Sequence, residues 1–218
     1  MGRNRKFTDD QLLDAALDAV VTYGRAATLA QVSRVGGVPT GSIYHRFASR
    51  DELMIRLWLR SIERFHARLF ETVARVADPG EALVALAVAT SRYCRENPEE
   101  ALAMTLFRHD RLMRIVPDVL RDRAAHVNDR VFGLMAELGA RRFPLRAHDP
   151  ALAEMVFTCV VGLCYGLIRP YIVAGAPIPA WLDAVVERGC TAALTIGDER
   201  ADRWARLGVE RRRQDVLR

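Results

Sequence analysis

Three Ser/Thr-x-x-Gln/Glu tetrapeptides within the first fifty residues constrain this chain more than any other feature: Thr8 to Gln11, Thr28 to Gln31 and Ser49 to Glu52. In such a capping box the hydroxyl accepts from the backbone N–H three residues on, and the Gln or Glu side chain reaches back to the capping residue's own N–H. Three helix starts this close together leave room only for short helices. The first is expected from about Thr8 to Tyr23, with Leu13, Leu17, Val20 and Val21 on one face, stopping at Gly24. A second is expected from Thr28 to about Val35, before Gly36-Gly37, and a third from Pro39 or Thr40 to about Phe47. Two short helices across a Gly-containing turn form a helix-turn-helix pattern.

Proline placement parses the rest, because Pro is accepted at helix starts and disfavoured inside them. Between the prolines lie stretches rich in Ala, Leu, Arg and Glu with apolar residues recurring at three and four, and almost nothing alternates with the period of a strand. The expected fold class is all-α, with about nine helices. The fourth runs from Ser49 to about Ala77, the fifth from Glu81 to Arg95, the sixth from Pro98 to Arg108 and the seventh from Pro117 to Leu138. A loop follows at 141–149, then an eighth helix from Pro150 to Arg169 and a ninth from Pro179 to Ile196. The expected domains are 1–52, 53–197 and a charged tail at 198–218.

Composition removes several classes. The chain has 218 residues, 50% hydrophobic and 27% charged, enough apolar mass for a sizeable core. The apolar run from Met155 to Ile168 is about 14 residues, short of the roughly 20 a membrane span needs, and Arg169-Pro170 ends it. With no apolar signal segment near the N-terminus, the expectation is a cytoplasmic protein without a membrane partner. Cys94, Cys159, Cys164 and Cys190 form no C-x-x-C pair, which predicts buried, reduced thiols and neither a metal site nor a cofactor. The net charge of +5 permits a polyanionic partner, but Lys6 is the sole Lys among 32 basic residues, a ratio that looks like codon bias. Glu63-x-x-His66 has no second copy on a facing helix, and Gly-x-Gly-x-x-Gly, P-loop and Gly-x-Ser-x-Gly patterns are missing. No enzyme is expected.

The informative segment runs from Thr28 to Leu53, TLAQVSRVGGVPTGSIYHRFASRDEL. A recognition helix needs small or hydrogen-bonding side chains at its N-terminal end, and Thr40, Gly41 and Ser42 supply them. Tyr44 and His45 follow, able to donate to phosphates or lie against bases, while Ile43 and Phe47, four apart, point into a small core. Together with the Gly24 stop, Gly37-Val38, the Gly-x-Ile-Tyr-His-x-Phe core and Ser49-x-x-Glu52-Leu53, this segment resembles the DNA-binding domain of the tetracycline repressor (TetR) family. The match spans about Phe7 to Leu57. It departs at Pro39, where a Ser cap is usual, and at Gly36, where Ala is usual and where Gly is expected to fray the second helix.

The resemblance implies a one-component transcriptional regulator, a repressor that binds a near-palindromic double-stranded DNA operator as a homodimer. It also implies release of that operator by a small-molecule effector. The competing reading is a sequence-tolerant architectural DNA-binding protein with no effector. The resemblance carries phosphate or base contacts onto Thr28, Thr40, Ser42, Tyr44 and His45 and a phosphate contact onto Arg50. Arg3, Arg5 and Lys6 form a basic arm within reach of an adjacent minor groove. Gly162 and Gly166, with Trp181, Val185 and Val186, are expected at a four-helix dimer interface. Tyr93, Met104, Phe107, His109, Met113, Phe132, Met135, Phe157 and Tyr165 are the candidate lining of a cavity for a largely apolar ligand.

Overall fold

The computed structural model describes residues 7–147 and 150–199; Arg3, Arg5, Lys6 and the tail from residue 200 lie outside the described residues. Every regular element among the described residues is helical. They are α1 (Asp9–Tyr23), α2 (Leu29–Gly36), α3 (Thr40–Tyr44), α4 (Arg50–Val73), α5 (Pro79–Glu96), α6 (Pro98–Met104), α7 (His109–Ile115), α8 (Asp118–Ala125), α9 (Asp129–Arg142), a 3-10 turn (Pro144–Arg146), α10 (Pro150–Phe157), a π-helical segment (Thr158–Gly162), α11 (Leu163–Ala174) and α12 (Leu182–Glu199). The chain divides into two compact units, residues 7–65 with 96–128, and residues 66–95 with 129–199. The helix-turn-helix therefore shares its unit with the first part of α4 and with α6 to α8, and this division differs from a boundary at residue 52.

In the N-terminal unit the first two capping boxes form in full. Thr8 and Thr28 each accept from the N–H of Gln11 and Gln31, whose side chains accept from the N–H of Thr8 and Thr28 in return. At Ser49 the box is altered: Glu52 N–H donates to the Ser49 hydroxyl, but the Glu52 carboxylate accepts from Ala48 N–H. Gly24 and Gly37 end α1 and α2 at positive φ, 76° and 59°, which a side chain resists. Leu12, Ala16 and Val20 of α1, Val32 of α2, Ile43 of α3, Phe47, and Leu53, Leu57 and Trp58 of α4 are buried in one core. Fully burying each large side chain contributes about 1.5–3 kcal/mol. Gly36 is the last residue of α2, before the Gly37 cap, and lies directly against Ala15 of α1.

The same core takes Ala103 and Leu106 from the α6 region, Leu112 and Val116 from α7, and Leu120 and Ala124 from α8. Two expectations change here. The stretch after Met104 turns and restarts as α7, and the expected helix from Pro117 to Leu138 is interrupted after Ala125, where His126 caps α8 before α9 begins at Asp129.

In the second unit Asp183 fixes the start of α12 to the end of α5. Its carboxylate accepts from Arg95 Nη1 and Nη2 at 2.8 and 2.7 Å, from Ser91 Oγ at 2.6 Å and from Arg92 Nε at 3.1 Å. Burial by itself raises an acid's pKa, but these donors outweigh it and hold the Asp183 carboxyl down at about 2. Gly189 of α12 faces Leu163 so closely that an added Cβ would meet Leu163 Cδ2 at 2.8 Å.

Helix α10, the π segment and α11 run on without a break, and Pro170 lies inside α11 rather than ending the apolar stretch. From Ala151 to Ala174 the chain is thus long and apolar enough to cross a membrane by length and composition, contrary to the shorter span expected. Here its Leu152, Val156, Cys159, Val160, Cys164, Ile168 and Ile172 are buried within the unit, while other positions stand exposed.

Candidate nucleic-acid interface and effector cavity

The recognition segment is built around two anchors. Ile43 has no exposed surface and Phe47 has 2%, so the short α3 is pinned from below. Tyr44, between them, is 60% exposed, and His45 and Gly41 are exposed beside it. Thr40 and Ser42 are half-buried at the start of the helix, where Pro39 gives no side-chain cap. Thr28, at the head of α2, is exposed and holds its own cap. The turn between α2 and α3 is held by Ser33 Oγ, which donates to the Val38 carbonyl at 2.6 Å. An added Cβ on Gly41 would meet nothing within 4 Å, so the protein's own packing does not require Gly there.

Arg50, expected as a phosphate ligand, engages acceptors of the protein itself with three of its donors. Its Nε donates to the Ala27 carbonyl at 2.7 Å, its Nη2 to the Arg25 carbonyl and its Nη1 to Asp51 Oδ1 at 3.0 Å.

In the second unit a cavity of about 330 Å³ opens between α9 and α10. Phe132, Met135, Ala136 and Gly139 form one wall and Leu152, Ala153, Val156 and Phe157 the other, with Ala147 at the end. Among the described residues, no charged or hydrogen-bonding side chain lines it. Phe132 and Phe157 meet edge to face across it, with ring centroids 5.6 Å apart. Three of the nine expected lining residues, Phe132, Met135 and Phe157, are here. Tyr93 and Tyr165 belong to the same unit without lining this cavity, Tyr93 buried and Tyr165 exposed. The other four belong to the N-terminal unit. Met104, Phe107 and Met113 pack on its core, and His109 Nε2 donates to the Ala124 carbonyl at 3.2 Å.

Of the expected dimer residues, Gly162, Gly166, Trp181 and Val185 are exposed, Trp181 at 61%. Val186 is corrected: it has no exposed surface, because it faces inward on α12 while Val185 faces out. The four cysteines are free and buried, and burial pushes the Cys94, Cys164 and Cys190 thiols up to about 12, which leaves them un-ionised and unreactive. Glu63, from the rejected metal pair, is engaged by Arg123 at 2.8 and 2.6 Å.

The sequence matches no family model, and no curated protein matches it. Solved structures do match. A TetR family regulator, PfmR from Thermus thermophilus, superimposes with a TM-score of 0.64 at 19% identity over 84% of this chain and 97% of that one. A TetR-like regulator from Rhodococcus sp. RHA1 gives 0.64 at 16% identity, covering 89% and 98% of the two chains. The transcriptional regulator FadR from Bacillus subtilis, solved in complex with stearoyl-CoA, gives 0.66 at 14% identity, covering 85% and 99%. The chain has the fold of the TetR-family transcriptional regulators.

Sequence reading missed three features of this TetR fold. Arg46, directly after the recognition segment, donates to the Asp9 carboxylate and to the Phe7 carbonyl at the start of α1. Asp183 gathers Ser91, Arg92 and Arg95 from about ninety residues away, a pairing no local pattern announces. Gly189 lets Leu163 approach α12 closely inside the unit. A glycine in the middle of α12 was the available signal, since Gly there costs about 1 kcal/mol unless a neighbour needs the room.

Proposed function

We propose that this protein is a one-component transcriptional regulator, a repressor, that binds a near-palindromic operator as a homodimer and releases it when a small, largely apolar ligand enters the second unit. The observation that carries the DNA-binding half is the alternation at α3: Ile43 and Phe47 sealed in the core, with Tyr44 and His45 presented outward beside Gly41. Thr28, Thr40 and Ser42 supply further hydrogen-bonding groups at the same two helix starts. The side chains suit base and phosphate contacts, and no catalytic role is assigned to them.

The cavity between α9 and α10, apolar in its described lining, supports an effector held by shape and apolar contact rather than by charge. The Bacillus subtilis FadR was solved with stearoyl-CoA, whose acyl chain belongs to this apolar class. The exposed face of α11 and α12, with Gly162, Gly166, Trp181 and Val185, is the proposed dimer surface. The functional division at residue 52, the basic arm of Arg3, Arg5 and Lys6, and a cytoplasmic location complete the reading.

Selection from a random pool of duplex DNA tests it. The regulator should enrich one symmetric sequence and protect it in a footprint, whereas coating without register would identify an architectural protein instead. Release of the selected duplex by saturated fatty acids or aromatic hydrocarbons should be lost in Ala153→Trp, which fills the cavity, while DNA binding persists.

A further inference from the structure

We infer that Arg46 and Arg50 are positioning residues that brace the DNA-facing groups from within, and that neither is a phosphate ligand. This rests on the DNA-binding reading above and revises the part Arg50 plays in it. The two arginines flank the end of the recognition segment and resemble, in sequence, a pair of surface cations ready for the DNA backbone. The Arg46 guanidinium turns inward, and the Arg50 side chain, 34% exposed, folds back onto backbone carbonyls. The Arg46 side chain is only 15% exposed and joins the Asp9 carboxylate to the Phe7 carbonyl, which ties the end of α3 to the beginning of α1. Phe7 itself packs on the core, so the tie has a fixed far end.

Arg50 does the same for the other DNA-facing helix. Three of its five N–H donors are engaged, on the carbonyls of Arg25 and Ala27 and on Asp51. Ala27 has no exposed surface and immediately precedes Thr28, so the Arg50 bond fixes the point from which α2 departs. Arg46 thereby sets where Tyr44 and His45 stand, and Arg50 sets where Thr28 stands. The donors that hold these acceptors are already engaged, so what remains for a phosphate on either group is the unengaged part of the fork, while the bonds that fix the two helices stay in place.

The planar fork matters more than the charge. A guanidinium reaches two or three acceptors at fixed angles, and an ammonium cannot reproduce that geometry. The two roles therefore predict opposite results for Arg→Lys, since Lys is a competent phosphate ligand.

The test measures affinity across a salt series for wild type, Arg46→Lys, Arg50→Lys, Arg46→Gln and Arg50→Gln. The probes are the duplex enriched by wild type and a random-sequence duplex of equal length, with helicity and melting followed in parallel. The proposal expects every folded variant to lose about tenfold in preference for the enriched duplex, the scale of one misplaced base contact. It also expects the slope of log Kd against log salt to stay at the wild-type value, with Lys no better than Gln. A slope shallower by about 0.9 in the Gln variants, restored by Lys, would mean that a phosphate contact had been lost and would overturn the proposal. Unchanged preference in folded variants would overturn it equally. Should the Gln variants fail to fold, the Lys variants decide alone, since retained preference refutes the brace. If wild type enriches no sequence, the DNA-binding reading itself fails, a result distinct from any of these.

Discussion

A Cβ added to Gly36 would stand 2.2 Å from the Cβ of Ala15. No pair of non-bonded carbon atoms tolerates that distance, so α2 passes α1 at a separation only glycine permits. Gly36→Ala should therefore destabilise the N-terminal unit by about 1–3 kcal/mol through overpacking. A merely frayed helix end predicts the opposite sign, because Ala is the better helix former by about 1 kcal/mol. Chemical denaturation reads the sign directly.

Gly41 is the contrasting case. It lies in a helix at ordinary φ with open space where its Cβ would be. Gly41→Ala is expected to stabilise the fold by about 0.5–1 kcal/mol and at the same time to weaken binding to the selected duplex, as DNA loses the close approach. Tighter binding in a titration would remove Gly41 from the interface.

Tyr44→Ala should cost roughly 1–3 kcal/mol of specific DNA affinity with little change in melting temperature, since the side chain is 60% exposed. A lower melting temperature with unchanged affinity would place Tyr44 in a structural role.

Gly162→Arg tests the dimer. Among the described residues only Thr158 Cγ2, at 3.7 Å, lies near an added Cβ there, so the monomer fold should accept the substitution while a closely apposed partner helix should not. Sedimentation should show monomers with wild-type helicity. A dimer that still binds the selected duplex would move the interface elsewhere.

Asp183→Asn should lower stability at neutral pH by about 1.5–3 kcal/mol, the range for hydrogen bonds to a charged group. The folded pKa of about 2 lies below the ordinary value near 3.9. The contribution is thus fully present above about pH 4 and disappears as the pH falls through 2. Denaturation curves of wild type and variant should accordingly converge on acidification, and a gap that held constant from neutral pH down to 2 would show that the carboxylate's charge is not what stabilises α12.

Legibility followed the range of the interactions. The caps at Thr8 and Thr28 and the Ile43–Phe47 anchor depend on residues three or four apart, and they form as the sequence pattern indicates. The end of α8 at His126 carries no Gly or Pro. It occurs where Ala124 is drawn into the N-terminal core while Val131 is buried with the second unit, a demand set by the fold. The cavity was half legible for a related reason: Met and Phe at helical spacing mark an interior, but not which unit owns it. In the continuous helix from Pro150 to Ala174 the buried stripe, Leu152, Val156, Val160, Cys164, Ile168 and Ile172, advances by four. On a helix of 3.6 residues per turn that step drifts by about 40° each time.

The π-helical segment limits this drift. At Thr158–Gly162 the Leu163 N–H donates to the Thr158 carbonyl, five residues back, so one additional residue is wound into the helix. One residue corresponds to about 100° of rotation in an α-helix. The segment is therefore an angular adapter: it sets the cavity wall of Ala153 and Phe157 at one azimuth and the exposed stripe of Gly166, Arg169 and Val173 at another. Shortening it by one residue would turn these two surfaces against each other like adjacent wards of a key, with every side chain still present. The number of residues between the two surfaces is itself a structural parameter, one that point substitution cannot reach and a single-codon deletion can.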